Sequence, residues 1–92
     1  MEGRNSLDPI DRAILRVLSL YEDLDLLQLW YELGESDKSV EHMTQEEVLE
    51  RLKLLKSQGF VEPIKESEGG TRWALTVKGK LSGDRKNLHV RR

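Results

Sequence analysis

The first 21 residues contain apolar positions repeated at intervals of three and four, the spacing that buries one face of a helix. Asp8 precedes this stretch as a candidate N-cap, and Pro9 suits the first helical position, where no backbone N–H is needed. The pattern predicts a first helix over residues 9–21. Its buried face would consist of Ile10, Ile14, Val17, Leu18 and Tyr21.

A second helical pattern covers residues 24–33 and is followed by Gly34, a residue suited to the position after a helix. Its main apolar stripe consists of Leu26, Leu29, Trp30 and Leu33. A further apolar strip, Leu24, Leu27 and Tyr31, lies on another side. A helix that is apolar on more than one face is either packed between neighbours or used at an interface.

The third helical pattern begins after Thr44, and Glu47 stands three residues further on, the spacing of a capping box. Val48, Leu52 and Leu55 recur at the spacing of a buried face. The pattern ends at Gln58-Gly59. It predicts a helix over residues 45–57 with these three apolar side chains directed inward.

Beyond Gly59 the pattern changes to short segments that favour strands. Residues 60–65 and 71–77 are β-prone, and the glycine pair at 69–70 suits a tight turn between them. In the second segment, Trp73, Leu75 and Val77 alternate onto one face. The chain therefore predicts a β-hairpin after three helices, with one more helical turn at 78–81.

Length and composition fit one small domain with a heavily charged surface. The 92 residues are 37% hydrophobic and 35% charged, with no cysteine, so disulfides and thiolate chemistry are excluded. No apolar run approaches the ~20 residues that span a bilayer. We expect a cytoplasmic protein with a polar leader at 1–7, a domain at 8–82 and a basic tail at 83–92. The abundance of Glu, Lys and Arg resembles thermophilic proteins.

Charge is distributed unevenly along the chain. Residues 1–50 carry 13 acidic and 4 basic side chains, whereas residues 51–92 carry 4 acidic and 11 basic ones, which gives the net charge of −2. Such asymmetry suggests a basic surface for an anionic partner. The alternative is that the fold intermixes the two halves and the charges only solvate the surface.

Two local motifs resemble winged helix-turn-helix regulators of the MarR, ArsR and PadR type. Residues 48–61, with leucines followed by Gly59, Phe60 and Val61, resemble the passage from recognition helix to wing. Residues 75–80 resemble the family ending leucine-threonine-x-x-glycine-arginine/lysine. The resemblance covers about residues 8–82 and implies an α+β, mostly α fold: three helices with a C-terminal β-hairpin wing.

The same resemblance implies duplex DNA binding, with residues 45–57 in the major groove and the wing at 66–71 along the backbone. The predicted outward face conflicts with that expectation, because the first turns of the reading helix carry Glu46, Glu47 and Glu50. Carboxylates near a polyanion cost Coulomb energy and release no counterions. Lys53, Leu54 and Ser57 complete that face.

Our first hypothesis is a DNA-binding transcriptional regulator, with a homodimer as one possibility. Its phosphate contacts would come from basic residues of the third helix, wing and tail. The candidates are Lys53, Lys56, Lys65, Arg72, Lys78, Lys80, Arg85 and Lys86, with Arg91 and Arg92 at the end of the tail.

The second hypothesis is a protein-interaction module or a subunit of a larger nucleic-acid-processing assembly. Its surface would be the acidic face at Glu46 and Glu50, or the strip Leu24, Leu27 and Tyr31, which is also the candidate dimer surface. A third hypothesis, a small structural factor without a discrete ligand, rests on size alone.

Nothing in the sequence indicates catalysis. The glycine pair fits a turn and not a phosphate-binding loop, and the two histidines, His42 and His89, stand apart without further convergent ligands. We therefore expect no enzymatic activity, no metal and no cofactor.

Overall fold

The structure, a computed structural model, describes residues 7–66 and 69–83. A short 3₁₀ turn, Lys38–Val40, joins the second helix to the third. The expected α+β, mostly helical fold is confirmed. The helices and strands, in chain order, are α1 Pro9–Ser19, β1 Leu24–Asp25, α2 Leu26–Ser36, α3 Gln45–Ser57, β2 Val61–Lys65, β3 Thr71–Leu75 and α4 Val77–Gly83.

The three strands form one antiparallel sheet in the order β1-β3-β2. Val61 of β2 lies opposite Leu75 of β3, and Leu24 of β1 lies opposite Trp73 on the other edge. Gly69 turns the hairpin with a φ of 98°, which only glycine adopts readily. The predicted hairpin is therefore confirmed, with a third strand beside it.

The core lies where α1, α2 and α3 pack on one another and on the sheet. Val48, Leu52 and Leu55 of α3 are fully buried, as their spacing predicted. They contribute to a continuous cluster that includes Ile14 of α1 and Leu29 of α2. Burying each such side chain stabilises the fold by roughly 1.5–3 kcal/mol. This packing fixes which face of α3 is turned outward.

The start of α2 differs from the prediction. Leu24 does not belong to a helical apolar strip; it forms β1, pairs with Trp73 and is only 3% exposed. The helix begins after Asp25, whose carboxylate accepts a hydrogen bond from the backbone N–H of Gln28 at 2.8 Å. The edge of β3 offers Leu24 a backbone partner from a distant segment, which helical periodicity does not reveal.

The ends of two elements were also predicted wrongly. Gly34 does not terminate α2, which runs on to Ser36 and is closed by the N–H of Asp37 donating to the Leu33 carbonyl at 2.9 Å. Val77 is not on the inner face of β3; it begins α4 and is 72% exposed. The strand stops at Leu75 because the next residue caps a helix.

Within residues 7–66 and 69–83, no helix has the length and hydrophobicity of a membrane-spanning segment.

Candidate nucleic-acid interface

The N-terminus of α3 is fixed by a capping box. The Thr44 hydroxyl accepts from the backbone N–H of Glu47 at 3.1 Å, and the Glu47 carboxylate accepts from the backbone N–H of Thr44 at 2.9 Å. Just before the helix, the indole N–H of Trp30 donates to the Met43 carbonyl at 2.6 Å. These contacts fix the residue at which α3 begins, and they hold the Glu47 carboxylate against the backbone at the helix N-terminus.

Arg51 attaches the middle of α3 to the start of α1. Its Nε and Nη2 donate to the two carboxylate oxygens of Asp11 at 2.9 and 2.7 Å, and Nη2 also reaches Asp8 at 2.9 Å. The pKa of Arg51 is raised, chiefly by the hydrogen bond to Asp11 and to a smaller extent by the charges of Asp11 and Asp8. We call this contact the Arg51 clasp. The clasp holds Arg51, the only arginine of α3, against α1 and away from the outward face of the helix.

The C-terminus of α3 is joined to α4. Gly59 ends the helix with a φ of 88°. The Thr76 hydroxyl donates to the Gly59 carbonyl at 2.6 Å and accepts from the backbone N–H of Gly79 at 3.0 Å. The backbone N–H of Thr76 also donates to the Phe60 carbonyl at 3.0 Å. These contacts form the α3–α4 junction, and they explain why a threonine follows the leucine in the motif at residues 75–80.

Gly79 and Lys78 complete the α3–α4 junction. A Cβ added to Gly79 would lie 2.0 Å from the Phe60 carbonyl oxygen, so only glycine fits there. The Lys78 ammonium donates to the Gln58 carbonyl at 2.7 Å and lies 4.7 Å from the centre of the Phe60 ring. Lys78, which we expected at the DNA, is therefore occupied at the end of α3 although it remains exposed.

The outward face of α3 is as the sequence predicted. Glu46, Glu50 and Lys53 of that face are exposed, as is Lys56 beside it, and no described residue pairs with any of the four. Leu54 lies on the same side and is 50% exposed. The face thus offers carboxylates at its first turns and ammonium groups at its later ones.

The wing retains less free positive charge than the sequence suggested. The Nε of Arg72 donates to the Asp23 carboxylate, its Nη2 donates to the Asp23 carbonyl at 3.2 Å, and Glu66 lies 3.9 Å away. The hydrogen bond to Asp23 is the largest cause that raises the pKa of Arg72. Lys65, at the end of β2 opposite Thr71, is exposed and unpaired within the described residues.

The remaining candidates are scattered. Lys80 of α4 is exposed and lines an open cavity of about 600 Å³ together with Glu22, Asp23 and Glu62. Arg85, Lys86, Arg91 and Arg92 lie outside the described residues. The structure therefore brings Lys53 and Lys56 together on α3 and leaves Lys65 and Lys80 on other elements.

Two exposed apolar pairs stand apart from the face of α3. Leu27 and Tyr31, four residues apart on α2, are 57% and 58% exposed, whereas Leu24 of the predicted strip is buried. Val77 and Leu81 form a similar pair on α4, at 72% and 54% exposure. The sequence did not indicate the α4 pair, because Val77 appeared to belong to a strand. In the described residues, no three His, Asp or Glu side chains converge as a metal site.

Solved structures with similar folds are winged-helix proteins. The adhesin competence repressor AdcR of Streptococcus pyogenes matches with a TM-score of 0.73 at 22% identity, over 94% of this chain and 59% of that one. RosR of H. salinarum matches with a TM-score of 0.77 at 23% identity, over 95% and 76%. A MarR-family transcriptional regulator from Silicibacter pomeroyi matches at 0.72 and 22%, over 92% and 53%.

The fold is therefore a winged helix-turn-helix, similar to that of MarR-family transcriptional regulators. The chain spans between about half and three fifths of the length of AdcR and the S. pomeroyi regulator. No family model matches the sequence, and no curated protein does. At these identities the comparisons establish the fold, in which α3 is the second helix of the helix-turn-helix.

Proposed function

We propose that this chain is a DNA-binding regulator of transcription, acting in the cytoplasm, with α3 lying in the major groove of duplex DNA. One observation carries the proposal. Helix α3 is held at its middle by Arg51 and at its C-terminal end through Thr76 and Gly79, while Glu46, Glu50 and Lys53 on its outward face have no partner in the described residues. A rigid helix with an unpartnered polar face is what groove binding requires.

Affinity in this proposal comes from the free lysines. Lys53 and Lys56 on α3 and Lys65 at the wing contact phosphates, joined by Lys80 and by Arg85 and Lys86 of the tail. Arg72 and Lys78 contribute less, because their charged groups are already engaged with Asp23 and with the end of α3. Each phosphate contact releases counterions, so binding weakens as salt rises.

A salt series tests this directly. Binding to a random duplex is measured for the unchanged chain and for the variant Lys53→Gln/Lys56→Gln. We expect the variant to bind more weakly to every sequence and to lose about 2 units from the slope of log affinity against log salt, roughly one per phosphate contact.

The matched control is Arg12→Gln/Arg16→Gln, which removes two exposed positive charges from α1. It should leave the slope close to that of the unchanged chain. If the two double variants weaken binding equally, affinity follows net charge and α3 has no special part in it. If the unchanged chain binds no duplex at any salt concentration, the proposal is wrong.

A second candidate function is protein binding through the same face of α3. Glu46 and Glu50 are free and Leu54 is half exposed, which suits a basic protein partner with an apolar centre. Glu46→Lys/Glu50→Lys separates the two functions. Duplex binding should strengthen if α3 faces DNA, whereas an unchanged duplex affinity favours a protein partner.

A homodimer remains part of the proposal, since winged-helix regulators commonly bind two half-sites. The exposed pairs Leu27/Tyr31 on α2 and Val77/Leu81 on α4 are the candidate contacts. Sedimentation of Leu27→Ser/Tyr31→Ser and of Val77→Ser/Leu81→Ser identifies the pair in use. A monomer at high concentration for the unchanged chain contradicts the dimer.

A further inference from the structure

The outward face of α3 contains a continuous row of side chains, Glu46, Glu50 and Lys53, with Leu54 beside it. At 3.6 residues per turn these positions lie above one another, on the side opposite the buried Val48. Glu47 is excluded from the row because the capping box holds its carboxylate. We call these four residues the reading row. It combines acceptors, a cation and an apolar group on one surface.

The chemistry of the base edges determines what the two carboxylates can contact. An ionised carboxylate only accepts hydrogen bonds. In the major groove, guanine presents two acceptors and thymine an acceptor beside its methyl group, so neither offers a donor. Adenine offers an amino group, but the N7 acceptor next to it repels a carboxylate. Cytosine offers its N4 amino group without a neighbouring acceptor of its own.

We propose that Glu46 and Glu50 make this helix selective for cytosine, each accepting a hydrogen bond from a cytosine N4 amino group. This inference rests on the proposed function. The two residues are about 6 Å apart along the helix axis. Base steps are about 3.4 Å, so the two cytosines stand roughly two steps apart. Lys53 supplies the attraction that brings the row to the duplex.

The carboxylates increase the sequence selectivity of binding without increasing its affinity. Opposite guanine, thymine or adenine, each carboxylate approaches an acceptor and remains close to phosphates, which is repulsive. Opposite cytosine, the hydrogen bond offsets that cost. A helix of this kind binds random duplex weakly and discriminates strongly, since specificity is the difference between the two affinities.

Selection from a randomised duplex library tests the proposal on the full chain. We expect cytosine to be enriched at two positions for the unchanged chain, with about a tenfold loss of affinity when either cytosine is replaced. Glu50→Gln should change the preference at one position from cytosine to adenine, because a glutamine amide pairs with adenine N6 and N7. Glu46→Gln should do the same at the other position.

Glu62→Gln is the matched control. Glu62 is exposed on β2 and faces the cavity that Lys80 lines, so the substitution removes the same charge away from the reading row. It should leave both cytosine preferences unchanged. Thermal unfolding of each variant confirms that it is folded, which the exposure of Glu46 and Glu50 leads us to expect.

The outcomes separate this inference from the proposed function. Sequence-selective binding without cytosine at either position overturns the inference and leaves DNA binding intact. Cytosine preferences that survive both Glu46→Gln and Glu50→Gln also overturn it. Failure of the unchanged chain to bind any duplex overturns the inference together with the proposed function.

Discussion

Two different sets of contacts attach α3 to the rest of the fold, one to α1 and one to α4, and the unpaired side chains near them carry opposite charges. The N-terminal half is held to α1 by the Arg51 clasp and leaves Glu46 and Glu50 unpaired in the described residues. The C-terminal half is held to α4 by the α3–α4 junction and leaves Lys53 and Lys56 unpaired there.

The polar residues in and around α3 are of two kinds, those with a partner in the fold and those without one in the described residues. Those with partners, such as Arg51 and Thr76, orient the helix and are not available for a ligand. Those without partners in the described residues are available, and the function proposed above divides them between affinity and discrimination. Lysines attract any phosphate backbone, whereas carboxylates tolerate only particular base edges. The acidic start of α3, which seemed to argue against DNA binding, is compatible with selective binding.

The largest expected effect is at the C-terminal anchor. Gly79→Ala places a Cβ 2.0 Å from the Phe60 carbonyl oxygen, and because the obstacle is backbone, α4 must move away from the end of α3. We expect a loss of about 3 kcal/mol or more in the free energy of unfolding. Urea denaturation measures it.

Gly70→Ala is the control for that substitution. A Cβ at Gly70 meets nothing within 4 Å, and its φ is not in the left-handed region. It should be neutral or slightly stabilising, since alanine reduces the freedom of the unfolded chain. Equal effects for the two glycines would show that the α3–α4 junction is not an anchor.

The next largest effect is at the Arg51 clasp. Asp11→Ala removes a carboxylate whose side chain is 8% exposed and leaves Arg51, among the described residues, paired with the exposed Asp8 alone. We expect a loss of about 1–2 kcal/mol, below the cost of a fully buried pair because Arg51 still reaches water. Chemical denaturation of Asp11→Ala, Arg51→Met and the double variant isolates the coupling. Additive losses would mean that the clasp contributes no coupling energy.

A smaller effect is expected at Thr76. Thr76→Val keeps the β-branched shape but removes the hydroxyl that bridges Gly59 and Gly79, at a cost of about 1 kcal/mol. Thr76→Ser retains the hydroxyl and should restore most of that loss. Hydrogen exchange at the Gly79 amide should accelerate in the valine variant only. Acceleration in both variants would assign the effect to packing.

The smallest effect lies away from both ends of α3. The charge of the Glu32 carboxylate is the largest cause that raises the pKa of Tyr21. A raised pKa in the folded state stabilises the fold below the ordinary tyrosine value of about 10 and ceases to do so as pH rises through the folded value.

Absorbance titration of the tyrosines measures this pair. Glu32→Gln should lower the titration midpoint of Tyr21. The titration of Tyr21 is assigned as the one that disappears in Tyr21→Phe. Binding to duplex should not change in either variant. A change in binding there would mean that exposed pairs outside α3 also orient the reading row.

The sequence predicted what depends on neighbouring residues and missed what depends on distant ones. The capping box at Thr44 and the inward face of α3 follow from spacings of three and four, and both are present. The pairing of Leu24 with Trp73 and the Arg51 clasp join segments about 40 or more residues apart, and no local period encodes them.

In the candidate nucleic-acid interface, too, local features could be predicted from the sequence and long-range contacts could not. The exposed face of α3 could be predicted from the burial of Val48, Leu52 and Leu55. The engagement of Arg72 by Asp23 could not, because it requires the loop before β1 to lie beside β3. Thr76, the second residue of the motif at residues 75–80, was the one local signal of a long-range contact.

The proposed function requires the outward face of α3 to lie against duplex DNA. Chemical-shift mapping by two-dimensional NMR, with a short random duplex added to the isotope-labelled chain, tests it most directly. We expect the largest changes at the amides and side chains of residues 45–57, with smaller ones at Lys65. Changes centred on Leu27 and Tyr31 of α2, with α3 unaffected while the duplex binds, would contradict it.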